Sequence, residues 1–187
     1  MLAIELVPYE RSFLEPYIEW RNQPLSVRHN PLKPMTTEEI AKMLEREGSD
    51  LADLKKRESY RWFVALESSV VGSVSLKNIS HSMAYAEIGY GVAEAHHRRG
   101  IATAAVGLLV HKVFTETALR KVIAFVHDKN LASCRVVEKL GFRQEGLLLE
   151  HYLINGRPEN EILYSLLKRE WRDSTKGPAS HMALKHI

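Results

Sequence analysis

Residues 86–106, AEIGYGVAEAHHRRGIATAAV, decide how the chain is read. The segment 83–92, MAYAEIGYGV, reads as a strand with Gly89 and Gly91 inside it. Such glycines mark a bulge, or a close approach by another backbone or a ligand. A helix is then predicted over residues 100–118, where Ile101, Ala105, Leu108, Leu109 and Val113 recur at helical spacing. Its first turn leaves backbone N–H groups without intrahelical partners, and with the helix dipole these favour an anion. Gly100 allows a tight turn and a close backbone approach, Ala102 keeps the turn free of bulk, and Arg98 and Arg99 add charge. A pyrophosphate on the amides of Arg99 to Thr103 is a physically sensible occupant, and a basic loop on a solvated face is the alternative. The stretch has neither the GK[ST] ending of a phosphate loop nor the GxGxxG spacing of a dinucleotide site.

Outward from this stretch the pattern is that of an α/β (α+β) domain. LAIELVP reads as a first strand ended by Pro8, and ERSFLEPYIEWRN as a helix. Pro24, Pro31 and Pro34 make the next stretch a loop. Thr36 and Glu39 form a capping box opening the helix EEIAKMLERE, and LADLKKRES continues as a second helical piece. RWFVALE and VVGSVSLKNI read as a hairpin turning at Ser68-Ser69. KVIAFVH is an apolar strand, NLASCRVVEKLG a helix closed by Gly141, and GLLLEHYLI and EILYSLL the last two strands, with Asn155-Gly156 as the turn signal. The sheet is expected to be mixed and mostly antiparallel, of about seven strands with about four helices. A right-handed crossover joins strands 83–92 and 121–127.

Composition bounds the function. The 187 residues suit one domain, taken as 1–171, and 172–187 reads as a disordered tail in which GPASHM is a cloning scar. A net charge of +3 is too mild for a dedicated nucleic-acid binder. No apolar run is long enough for a membrane span, and MLAIELVPYE lacks a signal-peptide layout. A single cysteine, Cys134, excludes an internal disulfide, so a cytoplasmic location is the default. No histidine spacing supports a metal, so none is expected.

The stretch around Gly100 resembles the acyl-CoA site of the GNAT superfamily of N-acetyltransferases. In that family a strand ending in a bulge precedes [Gln/Arg]-x-x-Gly-x-[Gly/Ala], which opens a helix and binds the CoA pyrophosphate. The pattern falls here on His97, Arg98, Arg99, Gly100, Ile101 and Ala102, and His97 departs from the usual first residue. NLASCRVVEKLGFRQEG resembles the second CoA segment through Asn130, Ser133, Gly141 and Phe142. WRNQPLSVRHNP, EGLLLEHYLINGRPENEILYSLL and the overall length resemble the bacterial ribosomal-protein N-terminal (alanine/serine) acetyltransferase branch, over roughly residues 1–170.

The resemblance implies a GNAT-like fold with strands splayed at the CoA site and acetyl-CoA as cosubstrate. It implies direct attack by an amine, with a backbone N–H between Tyr90, Gly91 and Val92 as the oxyanion donor. Thr103 would complete the pyrophosphate seat. Glu87, on the strand face shared with Tyr85 and Gly89, is a candidate general base acting through water, or a carboxylate on a solvated sheet face. Glu150, on the penultimate strand, is a second candidate. Ser133 would protonate the departing thiolate or only bond at the helix N-terminus; the tyrosine many relatives use later in that helix is replaced by Val137. Asn130 caps the helix and contacts CoA. Trp20, Arg21, Asn22 and Arg28 lie where the family's acceptor-side loop would be, Trp20 alternatively being core. Cys134 reads as a buried structural thiol, and His127 as a site-facing or edge histidine.

The first choice of acceptor is a protein or peptide N-terminal amine. The alternative is a small amine, such as a nucleotide-linked amino sugar or an amino-acid-like metabolite. A non-catalytic acyl-CoA-binding module is the reading from another class. No nucleic acid or membrane partner is expected, and the chain is a monomer or a homodimer pairing through its final hairpin.

Overall fold

In the computed structural model of the chain, which describes residues 3–171, the alternation of apolar residues is realised as seven strands. The tail expected at 172–187 lies outside the described residues. The strands are β1 (Ile4–Val7), β2 (Tyr60–Leu66), β3 (Ser69–Ser80), β4 (Tyr85–Val92), β5 (Lys121–His127), β6 (Arg143–Ile154) and β7 (Arg157–Leu167). They form one sheet in the order β1-β2-β3-β4-β5-β7-β6. Every neighbouring pair is antiparallel except β4 and β5, which the helix α4 (Ile101–Glu116) joins as the expected crossover.

Side chains that alternate along β2 feed two cores, one on each face. Trp62 and Val64 pack with Val74, Leu76 and Ile88 under α4 and α5 (Leu131–Lys139). Phe63 points the other way, toward α1 (Leu14–Arg21) and α3 (Thr37–Arg46), and is fully buried. The rings of Tyr9, Phe13, Tyr17 and Trp20 surround it at centroid distances of 5.3 to 6.5 Å. Trp20 thus serves this second core. The Thr36–Glu39 capping box forms in full at the start of α3.

Three local expectations are corrected. The proline-rich stretch after Asn22 holds a helix, α2 (Pro24–His29), because Pro24 at its first position lacks an N–H that would be unbonded there anyway. The described residues thus hold five α-helices. The piece LADLKKRES forms only a 3-10 turn, Leu51–Asp53, and no further helix. Finally, β4 pairs regularly with β3 through Gly89 and Gly91, and the irregularity of that pair lies in β3 between Lys77 and Ser80, where Asn78 has φ +48°. Gly89 answers instead to a close neighbour, since a Cβ there would lie 2.8 Å from the Ser75 hydroxyl. The β6–β7 turn holds only Asn155 and Gly156, both at positive φ (51° and 76°) as a tight type I′ hairpin requires.

Candidate functional site

The parallel β4–β5 pairing is the feature that makes a site. It covers only Tyr85↔Lys121, Ala86↔Val122 and Glu87↔Ile123. Beyond Glu87, β4 stays bonded to β3 as far as Val92, and β5 stays bonded to β7 as far as His127. The sheet therefore parts into a V whose inner edges, 88–92 and 124–127, carry backbone donors and acceptors not used between those two strands.

At the outer end of the β4 arm stands the N-terminus of α4. Gly100 caps it at φ +80°, no side chain caps the first turn, and the first helical bond runs from Ala104 N–H to Gly100 O. The amides of Ile101, Ala102 and Thr103 therefore lack helical partners. Arg98, at φ +60°, and Arg99 are exposed beside them, and Arg99 donates to His96 Nδ1. His97, at the atypical motif position, donates through Nε2 to Val92 O at 2.9 Å and ties the loop to the end of β4. A Cβ at Gly100 or at Gly91 would meet no atom within 4 Å, so the backbone is open to approach at both places.

Across the V, Asn130 caps α5 by accepting from Ser133 N–H. The Tyr90 hydroxyl reaches over from β4 and lies 2.6 Å from Ser133 Oγ and 3.1 Å from Ser133 O. Burial pushes the Tyr90 phenol up to about 12, against the lowering effect of Ser133, so it stays protonated. Val137 is fully buried in the core, and Cys134 is buried with its thiol pushed up by burial.

Glu87 sits at the closed apex of the V. Its side chain is 9% exposed, with one oxygen 2.8 Å from Lys77 Nζ and the other accepting from Asn78 Nδ2 at 2.6 Å. Glu150 is exposed at φ +48°, in the irregular β6 stretch between Leu148 and Tyr152, and its N–H donates to Asn160 Oδ1. Of the acceptor-side candidates, Trp20 faces Phe63, Arg21 donates to Lys33 O, and Asn22 ends α1. Arg28 is exposed on α2, beside His29.

The fold also gathers a cluster that spacing in the sequence did not reveal. α2 spans the mouth of the V. Leu25 N–H donates to Glu94 Oε1 and Glu94 N–H to Gln23 Oε1, both at 2.8 Å, which pins its start just beyond β4. At its other end His29 Nδ1 lies 3.3 Å from His127 Nδ1, at the end of β5. His127 Nε2 is 3.3 Å from Glu159 Oε2, which Lys129 Nζ also holds at 2.7 Å. Asn160 Nδ2 donates to Asp128 Oδ2, while Asp128 Oδ1 and the Tyr152 hydroxyl are buried without a hydrogen-bond partner. Burial, with His127 and Arg28 beyond it, holds the His29 imidazole below its ordinary value. Donor atoms of His127, Asp128 and Glu159 lie within 4.8 Å of one another, a grouping cations can use, and the Lys129 ammonium already occupies one side of Glu159. Only His127 among these carried a signal in the sequence, as the last alternating residue of an apolar strand.

The family described as the Acetyltransferase (GNAT) domain matches residues 4–143. Among individual proteins, the chain is 38% identical over 117 residues to the probable N-acetyltransferase YjcK of Bacillus subtilis (strain 168), 61% of this chain and 65% of that one. It is 37% identical over 105 residues to YdaF of the same strain, a protein named as a candidate ribosomal N-acetyltransferase, covering 56% of this chain and 57% of YdaF. The chain thus spans less than two thirds of either relative. It is 29% identical over 132 residues to the spermidine N(1)-acetyltransferase of Escherichia coli (strain K12), covering 70% and 71%. The solved spermidine N-acetyltransferase of Vibrio cholerae, in complex with CoA and spermine, has the same fold at TM-score 0.79 and 22% identity, over 90% of this chain and 98% of that one. The family match runs through the strand, the V and the uncapped helix described above, and the chain belongs to the GNAT acetyltransferase domain family.

Proposed function

We propose that the chain is an acetyl-CoA-dependent N-acetyltransferase that moves an acetyl group to a primary amine by direct attack. The observation that carries this is the V: two strands bonded only as far as Glu87↔Ile123, with the uncapped N-terminus of α4 at one arm and the capped N-terminus of α5 at the other. The open backbone at Gly91 and Gly100 fits a chain-like cosubstrate lying in the V with its diphosphate on the Ile101–Thr103 amides. His97, Arg98 and Arg99 would frame that seat, and Asn130 and Ser133 would border the sulfur. Acetyl-CoA supplies the activated acyl group. The protein's own work is to bind and orient it, to offer a backbone N–H of Tyr90, Gly91 or Val92 to the carbonyl oxygen, and to manage two protons. Ser133, whose hydroxyl lies 2.6 Å from that of Tyr90, would give a proton to the sulfur. Glu87 has both oxygens engaged and Glu150 is exposed on β6, so neither would reach an amine in the V without an intervening water.

A protein or peptide N-terminal amine is the proposed acceptor, supported by the likeness to YdaF. A polyamine or another small amine is the second reading, favoured by the likeness to the E. coli spermidine enzyme. The setting is the cytoplasm; among the described residues no helix is long and apolar enough to cross a membrane. The test is thiol release from acetyl-CoA with an amine panel of peptides beginning with Ala or Ser, spermidine, and amino-sugar nucleotides. Turnover with the peptides supports the reading, and turnover only with spermidine or the sugar moves the acceptor class. Silence with every amine, together with a normal thermal shift on acetyl-CoA, leaves the non-catalytic binding module in its place.

A further inference from the structure

We propose that His29 is the group that takes the proton from the acceptor ammonium, held for that task by His127 and Glu159, and that this selects an α-amine as acceptor. The inference rests on the N-acetyltransferase reading and deepens it. The tautomers follow from the partners. Lys129 N–H donates to His127 Nδ1 at 3.1 Å, so that nitrogen carries a lone pair and the His127 proton is on Nε2, facing Glu159. His29 Nδ1, 3.3 Å from the same His127 nitrogen, must then be the N–H donor. This leaves His29 Nε2 as an unprotonated nitrogen, with its ring oriented by a histidine and a carboxylate behind it, the arrangement a general base needs.

The placement is equally specific. α2 crosses the mouth of the V from Glu94 to His127, so His29 stands where β4 and β5 are furthest unpaired. Beside His127, the buried Tyr152 hydroxyl and Asp128 Oδ1 have no hydrogen-bond partner, although Asp128 Oδ1 lies 3.8 Å from His127 Nδ1, and a buried polar atom left so is costly unless a bound molecule satisfies it. An ammonium, with three donors, suits the Asp128 oxygen.

In the step itself one N–H bond of R–NH3+ breaks and its proton bonds to His29 Nε2, leaving R–NH2 with the lone pair that attacks. The positive charge moves onto the imidazole, where burial, His127 and Arg28 oppose it and the Glu159 carboxylate favours it. The other charged or titrating groups against the pair are Asp128, Lys129 and Tyr152. Because His29 is held below the ordinary histidine value, the transfer is uphill from either amine, and about 400-fold more so from an alkyl ammonium than from an α-ammonium. A histidine base therefore matches a peptide N-terminus far better than a polyamine.

The experiment compares wild type, His29→Gln and Glu159→Gln with an N-terminal peptide across pH. His29→Gln should lose about 10²–10⁴-fold in kcat/KM near pH 7 and recover much of it above pH 9, where the amine is already neutral, with its acetyl-CoA thermal shift intact. Glu159→Gln should move the acid limb of the profile to lower pH, because that carboxylate raises the affinity of His29 for its proton. Nitrogen-15 spectra of the free wild-type protein should report His29 protonated on Nδ1. Wild-type turnover with His29→Gln unchanged overturns this inference alone, as does an Nε2–H tautomer at His29. Silence of the wild type with every amine overturns the acetyltransferase reading and this inference with it.

Discussion

Replacing Gly100 by glutamate puts a carboxylate at the proposed diphosphate seat, and the structure separates its two consequences. Gly100 lies at φ +80°, and a Cβ there meets nothing within 4 Å. Alanine therefore brings no clash, and its cost is the left-handed backbone alone, about 1–2 kcal/mol. For a chain of this length that lowers Tm by roughly 2–8 °C. The response to ligand is a separate quantity. At a concentration of 100 Kd, acetyl-CoA should stabilise the wild type by about 2.7 kcal/mol, roughly 5–11 °C. Gly100→Ala should keep most of that response, since the amides of Ile101, Ala102 and Thr103 are untouched. Glutamate keeps the backbone cost and adds a negative charge about 5 Å from the diphosphate, worth about 3 kcal/mol per charge pair at an effective dielectric of ~20. That is about two decades in Kd, so the same ligand concentration stabilises the variant by only about 0.4 kcal/mol. The assay is a thermal scan of all three proteins with and without acetyl-CoA, at low and high salt. The gap between Ala and Glu should narrow as salt screens the repulsion. A Gly100→Glu protein with the full acetyl-CoA shift would refute the placement of the diphosphate at this helix terminus.

Two further expectations concern the frame that holds the site. Phe63→Ala opens a cavity among Tyr9, Phe13, Tyr17 and Trp20 and should cost about 3–5 kcal/mol in denaturant unfolding; a loss under 1 kcal/mol would show that this core tolerates collapse. Glu145 accepts from Lys121 and from the Ser165 hydroxyl, which hold its carboxyl below the ordinary 4.5. Its folded state thus binds the proton less readily than the unfolded chain, so the contribution is full above pH 4.5 and is lost as pH falls through the folded value. Glu145→Gln should flatten the acid limb of the stability profile, and an unchanged limb would contradict the assignment.

The elements legible in the sequence are those specified by neighbours a few residues apart. The capping box of Thr36 and Glu39, the cap of Asn130 on Ser133, the left-handed Gly100 and Gly141, and the Asn155-Gly156 turn are all contacts within one turn of chain. The strand-then-helix around Gly100 is local too, which is why 86–106 was enough to point to the fold. α2 was hidden because prolines near it read as loop, although Pro at a first helical position is permissive.

What tertiary structure alone decided are the contacts between distant segments. Tyr90 meets Ser133 across 43 residues, and His29 meets His127 across 98. Glu159 arrives from a strand on the far side of β5. No period in the chain encodes these meetings, because they depend on where β4 and β5 stop pairing and on which helix then covers the gap. The sequence by itself determined most of the secondary elements, the sheet class and the helix start at Gly100. Only the packed fold decided that Trp20 belongs to a core, that Glu87 is tied to Lys77 and Asn78, and that a histidine pair closes the open end of the sheet.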